Sequence, residues 1–248
     1  MFSTVKVDST PDLNGTLFTS LLQSLTLERL APTRQAANLA LPDSLGHLPI
    51  VRTTTPYTHI VQPFPPSFLA LRTSVTDAIS AGTGHGTPFN NAMVELYDSS
   101  YTKMGFHTDQ AQDLADESYI CIFSCYEGGT LESAEPPRML VVKNKRTEVI
   151  TEYPMRNHEC IVFSTTTNAA HVHKIVGGGC RRRWLGVTFR TSKTFVERRE
   201  DGLFFVGSGK LLRRATEEDA VEMRKCKGRE NKEDDFIWPD MGFTISEH

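Results

Sequence analysis

Apolar residues at Leu17, Phe18, Leu21, Leu22 and Leu25 recur three and four positions apart, which predicts a short helix opening near Thr16. Residues 1–15 before it carry no such pattern and read as a loose arm. Residues 31–58 are rich in Thr, Pro and Ala and predict weak strands at best. Pro63, Pro65 and Pro66 then interrupt the chain. Behind them Phe68, Leu71, Val75 and Ile79 share one helical face, so a second, amphipathic helix starts at the prolines and ends at Gly82, Gly84 and Gly86.

Beyond Pro88 the pattern changes to short apolar, β-rich runs. They fall at residues 91–98, 119–126, 138–143, 147–153, 159–164, 171–176 and 183–190, with short polar or glycine-bearing connections. Strands at this spacing predict a sandwich or barrel with the helices packed outside it. LFFV at 203–206 reads as one more strand. Thr216 and Asp219 form a capping box that opens a helix carrying Ala220, Met223 and Arg224. In the tail, Phe236, Trp238 and Phe243 are expected to pack back on the core. No linker stands out, so residues 1–248 read as one domain. Its core spans about residues 60–192, with an N-terminal arm and helices over 1–59 and a C-terminal extension over 193–248.

Composition narrows the class. The 248 residues are 39% hydrophobic and 23% charged, enough apolar material to exclude a wholly disordered chain. No apolar run approaches the roughly 18–20 residues of a membrane span. The first residues lack the apolar stretch of a secretory signal. The five cysteines are odd in number, irregularly spaced and without a CxxC pair. They read as reduced thiols in a cytoplasmic or nuclear protein, with Cys121, Cys125 and Cys160 as core residues. The net charge of −3 hides a basic stretch: residues 181–229 hold 14 of the 27 Lys and Arg but only 7 acidic residues. Such a stretch fits a nucleic-acid surface or a solvated helix face.

The chemistry concentrates in MGFHTD, where His107 and Asp109 stand two apart and share a face if extended. HVHKIV offers His171 and His173 at the same spacing. Two histidines and one carboxylate on one face leave three positions open on an octahedral ion, the facial triad of non-haem Fe(II) oxygenases. The arginines around RRRWLGVTFR can clamp a dicarboxylic co-substrate.

FNNAMVELYDSSYTKMGFHTD at 89–109, then IVFSTTTNAAHVHKIV, then RWLGVTFR, resemble the Fe(II)/2-oxoglutarate-dependent dioxygenase superfamily, nearest to its AlkB-like branch, over about residues 60–192. The resemblance implies an α+β protein with a double-stranded β-helix, or jelly-roll, core and the iron at its mouth. It implies His107, Asp109 and His173 as the ligands, with His173 preferred to His171. Tyr97 is expected on the 2-oxoglutarate. Arg183 is expected to clamp its distal carboxylate, brought into register by a bulge at Gly186, with Arg190 near the metal-side carboxylate. The cofactors are then Fe(II), 2-oxoglutarate and O₂, and the products are succinate, CO₂ and a hydroxylated or demethylated substrate.

Two residues depart from the AlkB-like pattern. Glu95 replaces the Asn two residues before the tyrosine, and its charge would repel the co-substrate unless it is paired or points away. Ala111 replaces the acidic residue with which base-repair members read the base, which leaves the substrate open. A macromolecule (nucleic acid or protein), a small metabolite, and a non-catalytic cupin-like binding role are the alternatives; the complete triad argues against the last. No membrane partner is expected, and Thr165–Asn168 read as a turn or as support for the ligands.

Overall fold

The computed structural model describes residues 1–7, 16–83, 86, 88–102, 104–129, 135–177 and 179–248. The chain runs through β1 (Ser3–Lys6), α1 (Leu17–Gln23), β2 (Glu28–Ala31), β3 (Arg34–Ala40), β4 (Leu48–Pro49), β5 (Gln62–Pro63) and α2 (Pro66–Thr83). β6 (Asn91–Tyr97), β7 (Tyr119–Tyr126), β8 (Met139–Asn144), β9 (Ile150–Pro154) and β10 (Glu159–Ser164) follow. Then come α3 (Thr165–Ala170), β11 (His171–Val176), β12 (Trp184–Arg190), β13 (Phe195–Arg199), β14 (Gly202–Phe205), β15 (Arg213–Arg214), α4 (Glu217–Glu230) and β16 (Phe243–Thr244).

An eight-stranded, mostly antiparallel sheet runs β1-β10-β7-β12-β6-β3-β2, with β5 beside β3. A three-stranded sheet, β11-β8-β9, packs on one face of it. Strand alternation sorts the side chains into two cores. Leu185, Val187 and Phe189 of β12, with Ala92, Val94 and Leu96 of β6, point toward α1 and α2, where Phe68, Leu71, Val75 and Ile79 meet them. Trp184 and Tyr97 point the other way, with Ile122 and Ile161, onto Leu140, Val142 and Ile175 of the smaller sheet. This is the α+β, double-stranded β-helix arrangement with helical extensions at both ends.

The structure corrects several readings of the sequence. Within the supposed N-terminal arm, Ser3–Lys6 pair antiparallel with β10; residues 8–15 lie outside the described residues. Residues 34–40, read as weak strand, form a seven-residue strand between β2 and β6. β3 is held by its backbone ladder and by the fit of small buried side chains (Ala36, Ala37 and Ala40), not by β-branched propensity. β12 pairs without a register shift to both β6 and β7, so there is no bulge at Gly186. That glycine has another use: a Cβ built there would lie 1.9 Å from the Trp184 indole, which folds over it.

At the C-terminus, Thr216 and Asp219 form the expected capping box of α4. Phe236, Trp238 and Phe243 pack with Met223, Cys226 and Met241 into a small core under α4, separate from the barrel core. All five cysteines are buried and none is in a disulfide.

Candidate metal centre

β11 is an edge strand of the smaller sheet, and its free edge takes up His107. The His107 N–H donates to the His173 carbonyl at 3.0 Å, and the His173 N–H returns a bond to the His107 carbonyl at 2.7 Å. Two residues that exchange both bonds sit directly opposite each other and present side chains on one face. Their imidazoles lie with centroids 4.7 Å apart. Asp109, two residues on, turns the same way, and ligand atoms of His107, Asp109 and His173 all lie within 4.8 Å of one another. His171 shares the strand, but both of its ring nitrogens are engaged. Nδ1 bonds the Thr167 carbonyl at 2.8 Å and Nε2 meets the Asn144 amide at 3.2 Å.

Each triad member is oriented by a different neighbour. The Arg190 guanidinium donates from Nε and Nη2 to Oδ2 of Asp109, both at 3.0 Å, which leaves Oδ1 3.6 Å from His173 Nε2. The side-chain amide of Asn168 brackets the Asp109 backbone, accepting its N–H at 2.9 Å and donating to its carbonyl at 2.8 Å. His107 bonds the Gly105 carbonyl through Nδ1 at 3.0 Å, so Nε2 is left for a ligand. His173 is steered by the backbone bridge and by the edge of Phe163, 5.6 Å away between centroids; its Nδ1 is buried without a partner among the described residues.

The electrostatics suit a divalent cation. Burial works against the Asp109 charge, but Arg190 and the two histidines outweigh it and hold the carboxyl well below the usual carboxylate range. Burial and the neighbouring His173 push His107 down to about 3, so its ring is neutral at physiological pH. A neutral His107 imidazole and an ionised Asp109 carboxylate are donors that a divalent ion can take without displacing a proton from either.

His107 and Asp109 line a cleft of about 390 Å³ whose wall also includes Arg34, Tyr57, Met93, Glu95 and Arg190. Glu95 is paired as its position demands: Arg34 donates to its Oε1 from Nε at 2.8 Å and from Nη2 at 2.6 Å. Tyr97 is fully buried against Trp184 and Tyr101, at centroid distances of 4.9 and 4.1 Å. Its hydroxyl is buried near Glu95, and burial, then Glu95, keep it protonated. Arg183 is elsewhere. With the register unbroken it falls on the helix side of the sheet, over the Phe18 ring, and its guanidinium pairs with Glu127 at 2.5 Å. The expectation that Arg183 clamps the co-substrate is therefore corrected, and the reason is the missing bulge.

Sequence reasoning missed Arg34 and the end of α4. Lys227 Nζ donates to the Thr108 carbonyl at 2.7 Å, and Asn231 accepts the Thr108 N–H at 2.9 Å. Only the three-residue spacing of Lys227 and Glu230 was visible beforehand, and it looks like any surface pair. The basic stretch 181–229 is not a bare positive face. Ten of its fourteen cations pair with carboxylates among the described residues.

No family model and no curated protein matches the chain. Solved structures do. That of OsALKBH1 aligns with a TM-score of 0.53 at 12% identity, over 77% of this chain and 96% of its own. A 2OG-Fe(II) oxygenase family oxidoreductase from Burkholderia pseudomallei aligns with a TM-score of 0.50 at 14% identity, over 77% and 84%. At these identities the likeness is one of fold. The chain shares the fold of these structures, and within it His107, Asp109 and His173 converge as a group that could hold a metal ion.

Proposed function

We propose that the protein is an Fe(II)- and 2-oxoglutarate-dependent dioxygenase, acting as one domain, that hydroxylates or oxidatively demethylates its substrate and releases succinate and CO₂. The observation that carries this reading is the convergence of three metal-ligand atoms within 4.8 Å, with His107 and Asp109 on the wall of a cleft that also carries Arg34 and Arg190. The iron, when bound, couples decarboxylation of the keto acid to oxidation of a C–H bond by O₂. The chain supplies orientation. Arg190 occupies one oxygen of Asp109 and so turns the other toward the metal position. Gly105 fixes the tautomer of His107.

For the co-substrate, Arg34 takes the role for which Arg183 is misplaced. It lines the cleft, and with Nε and Nη2 on Glu95 its Nη1 is left to meet a carboxylate. Tyr97 does not line the cleft; its hydroxyl is buried in the electrostatic neighbourhood of Glu95 and Arg34 at the same end. Position 111 offers no acidic side chain, and its N–H is taken by Glu230 at 2.9 Å. With the basic stretch largely paired, a substrate that is not held through phosphate contacts is favoured over a nucleic acid. Five reduced, buried cysteines fit a cytoplasmic or nuclear setting.

The test is succinate release from 2-oxoglutarate by the Fe(II)-loaded protein in air, with Asp109→Ala as the control. Turnover in the wild type and none in the variant is expected. An iron-loaded wild type that makes no succinate, or an active Asp109→Ala, removes the reading.

A further inference from the structure

Two of the three ligands lie on a segment with little structure of its own. Between β6 and β7, the described residues make bridges only at His107 and Leu114. A loop of this kind must be ordered for its ligands to converge, and that ordering entropy is subtracted from metal affinity unless something else fixes the loop.

The end of α4, more than a hundred residues later, does so. Lys227 Nζ donates to the Thr108 carbonyl at 2.7 Å and to Thr108 Oγ1 at 2.6 Å. Asn231 Oδ1 accepts the Thr108 N–H at 2.9 Å. Glu230 accepts the Ala111 N–H on Oε1 at 2.9 Å and lies 3.1 Å from Thr108 Oγ1 through Oε2. Every backbone polar group of Thr108 is therefore bound to α4 or the residue that caps it, and Thr108 is the residue between His107 and Asp109. The holding groups are themselves held. Lys227 pairs with Glu230 at 2.5 Å, the Trp238 indole N–H donates to Glu230 at 2.8 Å, and Lys145 donates to the carbonyls of Glu230 and Glu233 at 2.6 and 2.9 Å.

This is a costly way to dock a helix. Glu230 is only 5% exposed, and a buried charge is tolerated only when its bonds are complete. The apolar face of α4, with Met223 and Cys226, packs into the separate C-terminal core, so it is Lys227, Glu230 and Asn231 that reach the metal-bearing loop. We infer that the C-terminal end of α4 is a positioning device for the metal centre: Lys227, Glu230 and Asn231 fix Thr108 and thereby set the directions of His107 and Asp109. They are positioning residues, not ligands. The inference rests on the metal-site reading above, and by linkage a bound metal must in turn steady α4.

The experiment is Co(II) titration of the full chain, followed by visible absorption, which reports ligand geometry, with a melting curve for each variant. Lys227→Met is expected to weaken Co(II) binding roughly 10–100-fold, the usual effect of removing an outer partner of a metal ligand, and to alter the spectrum. Lys227→Arg, which keeps charge and donors, should restore most of both. Val75→Ala, in the core beneath α2, should lower the melting temperature and leave Co(II) binding intact. If Lys227→Met does not fold, Asn231→Ala removes the acceptor of the Thr108 N–H and answers the same question. Wild-type affinity and spectrum in a folded α4 variant, or equal weakening in Val75→Ala, overturns the inference alone. A wild type that binds no Co(II) removes the metal reading and the inference with it.

Discussion

Arg190→Met is the perturbation whose outcome the structure constrains most tightly. Arg190 is 5% exposed and Asp109 6% exposed, and the two share two hydrogen bonds of 3.0 Å. Removing the guanidinium leaves a buried carboxylate without its cation, which typically costs about 3–5 kcal/mol. For a chain of this size each kcal/mol lowers the melting temperature by roughly 2–4 °C, so the metal-free variant should melt about 6–20 °C below the wild type. A divalent ion at the triad puts positive charge back beside the same carboxylate. Saturating Mn(II) should therefore recover a large part of the loss and stabilise the variant more than the wild type. The pH dependence follows from the sign of the shift. Asp109 is depressed in the folded protein, so the stability it contributes is present above the unfolded-state value of about 3.9 and is lost as pH falls through the lower folded value. The gap between wild type and variant should narrow as the pH drops below about 4. Melting curves with and without Mn(II), near neutral pH and in acid, decide the matter. A metal-free loss under about 2 °C, or a loss that Mn(II) leaves unchanged, would refute the argument that one carboxylate is shared by guanidinium and metal.

His171→Ala should keep full Co(II) affinity, because both ring nitrogens of His171 are bonded within the protein; a lost metal site in that variant would mean the wrong histidine has been assigned. Arg34→Met should raise the dissociation constant of 2-oxoglutarate for the Mn(II) form about tenfold or more, the worth of a charged hydrogen bond, whereas Glu95→Gln should tighten binding by releasing Arg34. Calorimetry reads both, and an unchanged constant in Arg34→Met would reject the clamp. Gly186→Ala should destabilise by about 1–3 kcal/mol, since the Trp184 indole occupies the space of the new methyl group. A neutral melting curve there would show that the ring lies elsewhere.

What the sequence disclosed, and what it hid, follows from the range of the forces involved. β7, β10 and β11 match their predicted runs residue for residue; β7 and β10 do so because a strand buried on both faces must be apolar nearly throughout. β3 was opaque: RQAANLA is poor in β-branched residues, and its strand state comes from pairing with β6, nearly sixty residues away. His107 and Asp109 were legible because their spacing is local. The resemblance already preferred His173 to His171, and the physical reason is that Thr167 and Asn144 engage both ring nitrogens of His171. The error at Arg183 arose from the same limit. One inserted residue would have turned it inward, and only the ladders on both sides of β12 show that none is inserted. Arg34 and Lys227 gave no local sign, since each meets its partner across more than sixty residues.

The backbone bridge between His107 and His173 has a consequence for how the molecule comes apart. The two residues are 66 positions apart, and the chain between them contributes β7 and β10 to the large sheet and β8 and β9 to the small one. A metal ligated on both sides of that bridge works as a removable cross-link around a long loop, acting on the unfolded ensemble as a disulfide does. The wall cannot peel away until the ion has left. Loading should therefore slow unfolding more than it speeds folding, because the ligands converge only once both sheets have met. Resistance to proteolysis then becomes a property of the metal supply: the chain would be cleared faster where the ion that fits this site is scarce.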